Sequence, residues 1–576
     1  MTFTRLFLVA SFFIPACGFA QKRKVFTTTP VYDSVIAAYT SLAQKYPAMT
    51  QLKTYGTTDV GRPLHLFVIS KDGKFTPADH ATKTVILINN GIHPGEPDGI
   101  DACIQLSQDL LSQPALLPDN VEICIIPVYN IGGCLNRGAC SRVNQNGPAE
   151  YGFRGNAKNL DLNRDFIKCD AQNTWAFETI FQEWQPDIFV DTHVSDGADY
   201  QYVMTLIPTQ RNKLHPVMAD YMENMILPDL YKRMKEKKYE MCPYVETHGE
   251  TPDSGIDAFL ETPRYSTGYT ALFNCIGFVT ETHMLKPYND RVWATYEFLR
   301  AIIDIGSRNC ETMGNARRTA DRMVANEKIF ALNWKLDTAS YDWFEFKGYE
   351  AKHKPSEFSG TRLYYDEKSP YTKKIKYYNT YTAIDCVAVP RYYFVPQAYT
   401  AVIDRMKLNR VAMKKLAKDT AIWCGMYYVT DYKSPKGPYE SHFLHSAVSV
   451  SRDSQLVMFY KGDYIIETNQ PCNRYIVETL EPKAADSFFA WNFFDGILQQ
   501  KEWFSDYVFE DKADSILKHD ATVKKQFDDK MNTDTAFAHD HWGQLNFIYH
   551  HSAYMERTYD RYPVGRLNGE MKLPED

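Results

Sequence analysis

Four short apolar runs recur through the first half of the chain: TVILINN (84–90), EICIIPVYN (122–130), DIFVDTH (187–193) and GFVTETH (277–283). Each has strand length and is bounded by turn or polar residues. Between them, GIDACIQLSQDLL and NTWAFETIFQEW carry apolar residues at helical spacing. Upstream, VYDSVIAAYTSLAQKY (31–46) reads as a helix, and QLKTYG and LHLFVIS read as strands. Strands alternating with helices over about 280 residues point to an α/β fold, a mixed, mostly parallel sheet flanked by helices. In such sheets ligands collect at the carboxyl ends of the strands.

The chain has 576 residues, more than one hydrophobic core usually organises. Beyond Arg291 a helical stretch, VWATYEFLRAIIDIG, runs into a polar region near 308–328. The texture then changes to short aromatic and β-branched runs such as TRLYY, IKYYNTYTAIDCVAV, AIWCGMYYV and YIIET. The expected organisation is a signal peptide over 1–20, a catalytic domain over 21–312, a linker over 313–334, and a second, β-rich domain with a few helices over 335–576. In residues 1–20 one Arg precedes an apolar run, and small residues stand at Gly18 and Ala20, so export to a periplasm or the exterior is expected. An alternative takes Ile14-Pro15-Ala16-Cys17 as a lipoprotein box with Cys17 lipidated. No other apolar stretch approaches the roughly 20 residues of a transmembrane helix. The net charge of −7 argues against nucleic acid as a partner. The cysteines imply no disulfide framework, although Cys134 and Cys140 are close enough in sequence either to pair or to stand as separate thiols.

The segment NNGIHPGEPDG (89–99) follows the first of these strands. Gly91 and Gly95 let the backbone turn, so His93 and Glu96 can aim at one point. Zinc accepts imidazole nitrogen and carboxylate oxygen, and a catalytic site needs three protein ligands with a fourth position open. The pair also arises by chance, and an ordinary loop is the alternative. DIFVDTH ends a second strand on His193, which would bring a third donor to the same sheet edge; taken alone it reads as an edge histidine. In NLDLNRDF (159–166), Asn163 and Arg164 set an amide beside a guanidinium, the groups that hold a carboxylate through several hydrogen bonds. Asp161 can accept the free N–H of a ligating histidine. A polar turn with an ion pair would account for the same residues. His539, His541, His550 and His551 have no carboxylate at ligand spacing and read as structural or surface groups.

H-x-x-E at 93–96, D-x-N-R at 161–164 and the later His193 resemble, in order and context, the zinc carboxypeptidases of the M14 type, over about residues 25–305. The resemblance implies one Zn2+ ion held by His93, Glu96 and His193, with Asp161 supporting a ligand. It implies Asn163 and Arg164 as the groups that hold a substrate's terminal carboxylate, and Arg154 as the one that stabilises the scissile carbonyl's oxyanion. Glu281 corresponds to the general base that takes a proton from a zinc-activated water. His283 shares its strand face and reads as a supporting residue. A tyrosine closing over the substrate is expected shortly before Glu281; Tyr265 and Tyr269 both fit, and Tyr265 is preferred. Arg264 reads as a residue of the side-chain pocket, which would favour acidic leaving residues.

The expectation is a secreted or periplasmic zinc-dependent carboxypeptidase that hydrolyses the C-terminal peptide bond of a peptide with a free C-terminus, peptidoglycan stem peptides being one further substrate class. The alternative on the same fold is an N-acyl amino acid deacylase resembling the aspartoacylase and succinylglutamate desuccinylase group. A third reading, a binding module without catalysis, is opposed by the presence of all three ligands and the base.

Overall fold

The computed structural model describes residues 23–570 apart from 78, 79 and 81; the expected signal peptide and Cys17 lie outside the described residues. The first half contains β1 (Thr50–Tyr55), β2 (Leu64–Ser70), β3 (Thr84–Asn89), β4 (Val121–Ile126), β5 (Ile188–Ser195), β6 (Met204–Pro208), β7 (Met241–Pro243), β8 (Glu246–Thr247), β9 (Ile256–Asp257) and β10 (Ile276–His283). Eight of them form one sheet in the order β1-β2-β4-β3-β5-β10-β6-β7. Its centre, β4-β3-β5-β10, is parallel, and β1, β2 and β6 pair antiparallel at the flanks.

Every residue of β3, β4 and β5 is buried, the signature of a sheet covered on both faces. Alternate residues serve opposite faces, as the strand period requires. Ile86, Ile88, Ile123, Ile125, Ile188 and Val190 pack with Leu106 of the helix Asp98–Ser112 and Ile302 of the helix Tyr288–Val324. Val85, Leu87, Cys124, Ile126 and Phe189 face Phe177 and Phe181 of the helix Gln172–Trp184.

The remaining strands are β11 (Ile329–Leu336), β12 (Asp342–Ser356), β13 (Gly360–Tyr378), β14 (Tyr381–Ala388), β15 (Tyr392–Val395), β16 (Lys414–Lys415), β17 (Thr420–Lys433), β18 (Ser446–Phe459), β19 (Tyr464–Glu467) and β20 (Gly565–Leu567). Six of them form a second sheet, β16-β19-β15-β20-β17-β18, while the β12–β13 hairpin extends the β8–β9 pair of the first half. Helices Asp506–His519, Ala521–Thr533 and His541–His550 pack around Phe509, Leu545 and Tyr549.

The linker expected over 313–334 does not exist as such. The helix from Tyr288 runs unbroken for 37 residues to Val324, and β11 starts at Ile329. The stretch is polar because one helix face meets solvent, whereas Cys310, Met313, Arg317, Ala320 and Val324 are buried at helical spacing. Cys134 is buried, Cys140 is exposed, and both are free thiols, so they do not pair. No described helix is long and apolar enough to cross a membrane.

Candidate metal centre

From β3 the chain passes to β4 on one side and then returns to β5 on the other, so β3 and β5 form the point where strand order reverses. The carboxyl ends of two such strands open a crevice between diverging loops. Gly91, at φ +66°, turns the chain out of β3 and puts His93 and Glu96 over that crevice. His193 lies on β5 and pairs in register with Glu281 on β10, which brings the base candidate to the same edge. Asp98 fixes the next turn by accepting from Thr282 Oγ1 at 2.5 Å and from the buried Arg291 Nε at 3.0 Å.

The three expected ligands converge, with donor atoms of His93, Glu96 and His193 all within 4.8 Å of one another. His193 Nδ1 is 3.0 Å from Glu96 Oε2, and His93 Nδ1 is 3.3 Å from Glu96 Oε1. The far nitrogens face other carboxylates: His93 Nε2 is hydrogen-bonded to Asp161 Oδ1 at 2.9 Å, while His193 Nε2 lies 3.2 Å from Asp191 Oδ2 without hydrogen-bond geometry. Both imidazoles therefore present Nδ1 inward, and the Asp161 carboxylate hydrogen-bonded behind His93 is the arrangement that orients a ligating histidine. His93 Nδ1 is buried and makes no hydrogen bond, a donor atom left for a ligand. Two imidazoles and one carboxylate at this separation fit zinc.

The electrostatics favour a cation here. Burial works against a charged His193, yet Asp191 and Glu96 raise its pKa well above the usual range. Burial likewise opposes ionisation of Asp161, but His93, Arg154 and Arg164 hold its carboxyl well below the ordinary value.

Around the ligands lies a cleft of about 390 Å3 lined by Arg142, Arg154, Asn163, Arg164, Tyr244, Glu261, Tyr265 and Glu281. Asp161 caps the turn Leu162–Arg164 through Asn163 N, which presents Asn163 and Arg164 to the cleft. The Arg164 guanidinium lies 4.4 Å from the Tyr265 ring centre. Arg154 binds Asp161 Oδ2 through Nε at 2.9 Å and Nη2 at 2.8 Å, and its Nη1 stands 3.7 Å from Glu96. Glu281 is partly exposed to the cleft; burial and the neighbouring Glu96 push its carboxyl up to about 8, against the pull of His193, Arg142 and Arg154.

Every residue expected at the site from the sequence thus reaches it, with exceptions among the lesser candidates. Tyr269 is fully buried and donates to Asn409 Oδ1 at 2.7 Å, so it does not face the cleft. Arg264 points away: its Nε binds Asp486 at 2.7 Å and its guanidinium covers the Trp491 ring. The argument for acidic leaving residues falls with it, because the cleft carries Glu261 instead. That carboxyl is buried and raised to about 8 by burial, Asp191 and Glu281. His283 binds the Ala198 carbonyl and touches no ligand. Of the residues not anticipated, Asp191 was readable two positions before His193 on the same strand face. Arg142, which binds Glu96 Oε1 at 2.7 Å and the Val194 carbonyl at 3.0 Å, stands in a loop with no periodicity to reveal it.

Residues 35–295 match the zinc carboxypeptidase family. That segment belongs to it. That match, which spans less than half of the chain, and the similarity to the carboxypeptidases below indicate a metallocarboxypeptidase, a hydrolase. Carboxypeptidase 2 of Trichophyton equinum is 22% identical over 502 residues, which cover 80% of this chain and 84% of that protein. Carboxypeptidase 2 of Trichophyton rubrum is 20% identical over 500 residues, with the same shares of the two chains. Among solved structures, carboxypeptidase A from Helicoverpa armigera has a TM-score of 0.37 at 15% identity, covering 49% of this chain and 74% of that one. A metallo-carboxypeptidase from Burkholderia cenocepacia has a TM-score of 0.36 at 16% identity, over 48% and 68%.

Proposed function

We propose that this metallocarboxypeptidase is exported, holds a single zinc ion on His93, Glu96 and His193, and removes the C-terminal residue from peptides with a free carboxylate. The observation that carries the reading is the placement of a buried His-Glu-His donor set, a carboxyl at Glu281, and the Asn163–Arg164–Tyr265 group around one cleft. Export is supported by the apolar, small-residue pattern of residues 1–20.

When bound, zinc supplies a Lewis acid and brings the ionisation of water toward neutral pH. Arg164 and Asn163 bind the terminal carboxylate, and Tyr265, lying against the guanidinium, fixes its plane. Arg154 spends two nitrogens on Asp161 and keeps Nη1 toward the cleft, where it stabilises negative charge on the scissile carbonyl oxygen. The Glu281 carboxylate takes a proton from the attacking water and returns it to the departing amine. Its raised pKa suits a group that must accept and release a proton near neutrality.

Digestion of a peptide library, read by mass spectrometry with and without chelator, tests the reading: chelator-sensitive loss of single C-terminal residues is expected. Turnover confined to N-acyl amino acids would replace it with deacylation. Glu281→Gln should keep its zinc and lose about 100- to 10,000-fold in kcat; near-normal turnover would remove Glu281 from the chemistry.

A further inference from the structure

The C-terminal region reaches the segment that carries Asp161, Asn163 and Arg164 through the turn between β17 and β18. Glu440 Oε2 accepts the Asp161 backbone N–H at 2.8 Å, and His442 Nε2 lies 2.8 Å from Asp170 Oδ2. Between those two anchor points run the residues that carry Asp161, Asn163 and Arg164. Arg405, on the helix Thr400–Leu408, donates to the Lys168 and Cys169 carbonyls at 2.5 and 3.0 Å. The segment 161–170 is therefore gripped at both ends by side chains from the other half of the chain.

The turn itself is held in an uncommon conformation. Glu440 at φ +51° and Ser441 at φ +67° are successive non-glycine residues in the left-handed region. Such a pair persists only where its surroundings over-determine it. Here Tyr439 and His442 exchange two backbone hydrogen bonds across it, at 2.7 and 3.0 Å, and Tyr439 stacks on Trp491. The strained residues thus place one carboxylate on one backbone amide of the active-site loop.

We infer that residues 438–442 are a positioning element of the active site, with Glu440 its positioning residue. By holding the Asp161 N–H, Glu440 sets the three-residue turn that presents Asn163 and Arg164. What those two groups bind rests on the carboxypeptidase reading above. Burial and the neighbouring Asp161 carboxylate raise the pKa of Glu440, against the Asp161 N–H and the nearby Lys168 and Arg164, so the carboxyl is held in place by its hydrogen bond rather than by a matched cation.

The test uses the full-length, zinc-loaded chain with Glu440→Ala and Glu440→Gln, a peptide acid, and the same peptide as its C-terminal amide. Glu440→Ala should lower kcat/KM for the acid about tenfold, mainly through KM, with the amide little changed and zinc content unaltered. Glu440→Gln keeps an acceptor for the Asp161 N–H and should restore most of the loss. Equal losses on acid and amide, or no loss, overturn the inference. Hydrogen exchange supplies a readout independent of turnover: amides of 161–166 should exchange faster in Glu440→Ala while those of 84–89 and 188–195 do not. Unchanged exchange at 161–166 refutes the positioning role even if activity falls. Should the wild type cleave no peptide while exchange responds as described, the carboxypeptidase reading fails and the positioning contact stands.

Discussion

A Cβ added at Gly99 would sit 2.0 Å from Thr192 Oγ1 and 2.5 Å from Asn90 Oδ1. Gly99 lies in the first turn of a helix, where intrinsic propensity favours alanine by about 1 kcal/mol. The steric argument has the opposite sign and is larger, because overpacking a close-packed interior costs about 1–3 kcal/mol. What must move also matters: Thr192 immediately precedes His193, and Asn90 opens the loop carrying His93 and Glu96. Gly99→Ala is therefore expected to lower Tm and to weaken zinc retention in a competitive chelator titration, whereas a more stable variant with unchanged zinc would contradict this account. Asp161→Ala acts on the same centre from behind, leaving His93 Nε2 without its carboxylate, and should reduce zinc affinity about 10- to 100-fold. Affinity equal to wild type would reduce that hydrogen bond to a packing detail. Residues of this kind were legible where spacing expressed a geometric need, as with His93 and Glu96 around Gly91 or Asp161 before Asn163 and Arg164. Arg142 and Glu261 were not, because they reach the cleft from irregular loops whose path no local pattern encodes.

The helices and strands were legible wherever one face is buried and the residues repeat at the element's own period. The ends of elements were less so, and the stretch beyond residue 312 shows why: a helix with a single buried stripe reads as polar when scanned along the chain, and only the 3.6-residue spacing of Cys310, Met313, Arg317 and Val324 betrays it. The helix Asp98–Ser112 shows what burial does to a charge within an element. Asp101 is 5% exposed and accepts from Tyr288 Oη at 2.6 Å, and burial lifts its carboxyl from 3.8 to about 6. A folded-state pKa above the unfolded one means the native state binds the proton more tightly, so stability rises as pH falls from about 6 to 3.8 and is forfeited above that window. The ionised group then costs on the order of 3 kcal/mol at neutral pH. Asp101→Asn, neutral at every pH and still an acceptor for Tyr288, should raise Tm at pH 7.5 and leave it unchanged near pH 3.5. A gain that persists at the lower pH would point to packing rather than charge.

At the scale of the molecule, sequence texture separates two regions that the structure joins through one core. Phe181, Tyr269, Leu272 and Val324 of the first half pack in the same cluster as Tyr393, Val402, Tyr475 and Trp491 of the second. Polar contacts follow the same seam: Asn409 accepts from Tyr269 and donates to Glu178 Oε2 at 2.7 Å, and Lys213 pairs with Glu478 at 2.8 Å where both are buried. Breaking a buried pair by removing one partner leaves an uncompensated charge, which costs about 3–5 kcal/mol. Neither half could therefore shed the other without exposing apolar surface and orphaned charges. The contrast between texture and structure has a physical origin, because composition reports which element a segment forms and says nothing of which distant face it covers. The whole chain should accordingly melt in a single calorimetric transition that shifts as a unit when zinc is chelated. A fragment ending at Asn326 should be insoluble, with Phe181, Tyr269 and Phe273 uncovered. Two resolved transitions, or a soluble fragment with its own cooperative melt, would establish that the halves fold independently and that the contacts of Glu440 and His442 join two self-sufficient units.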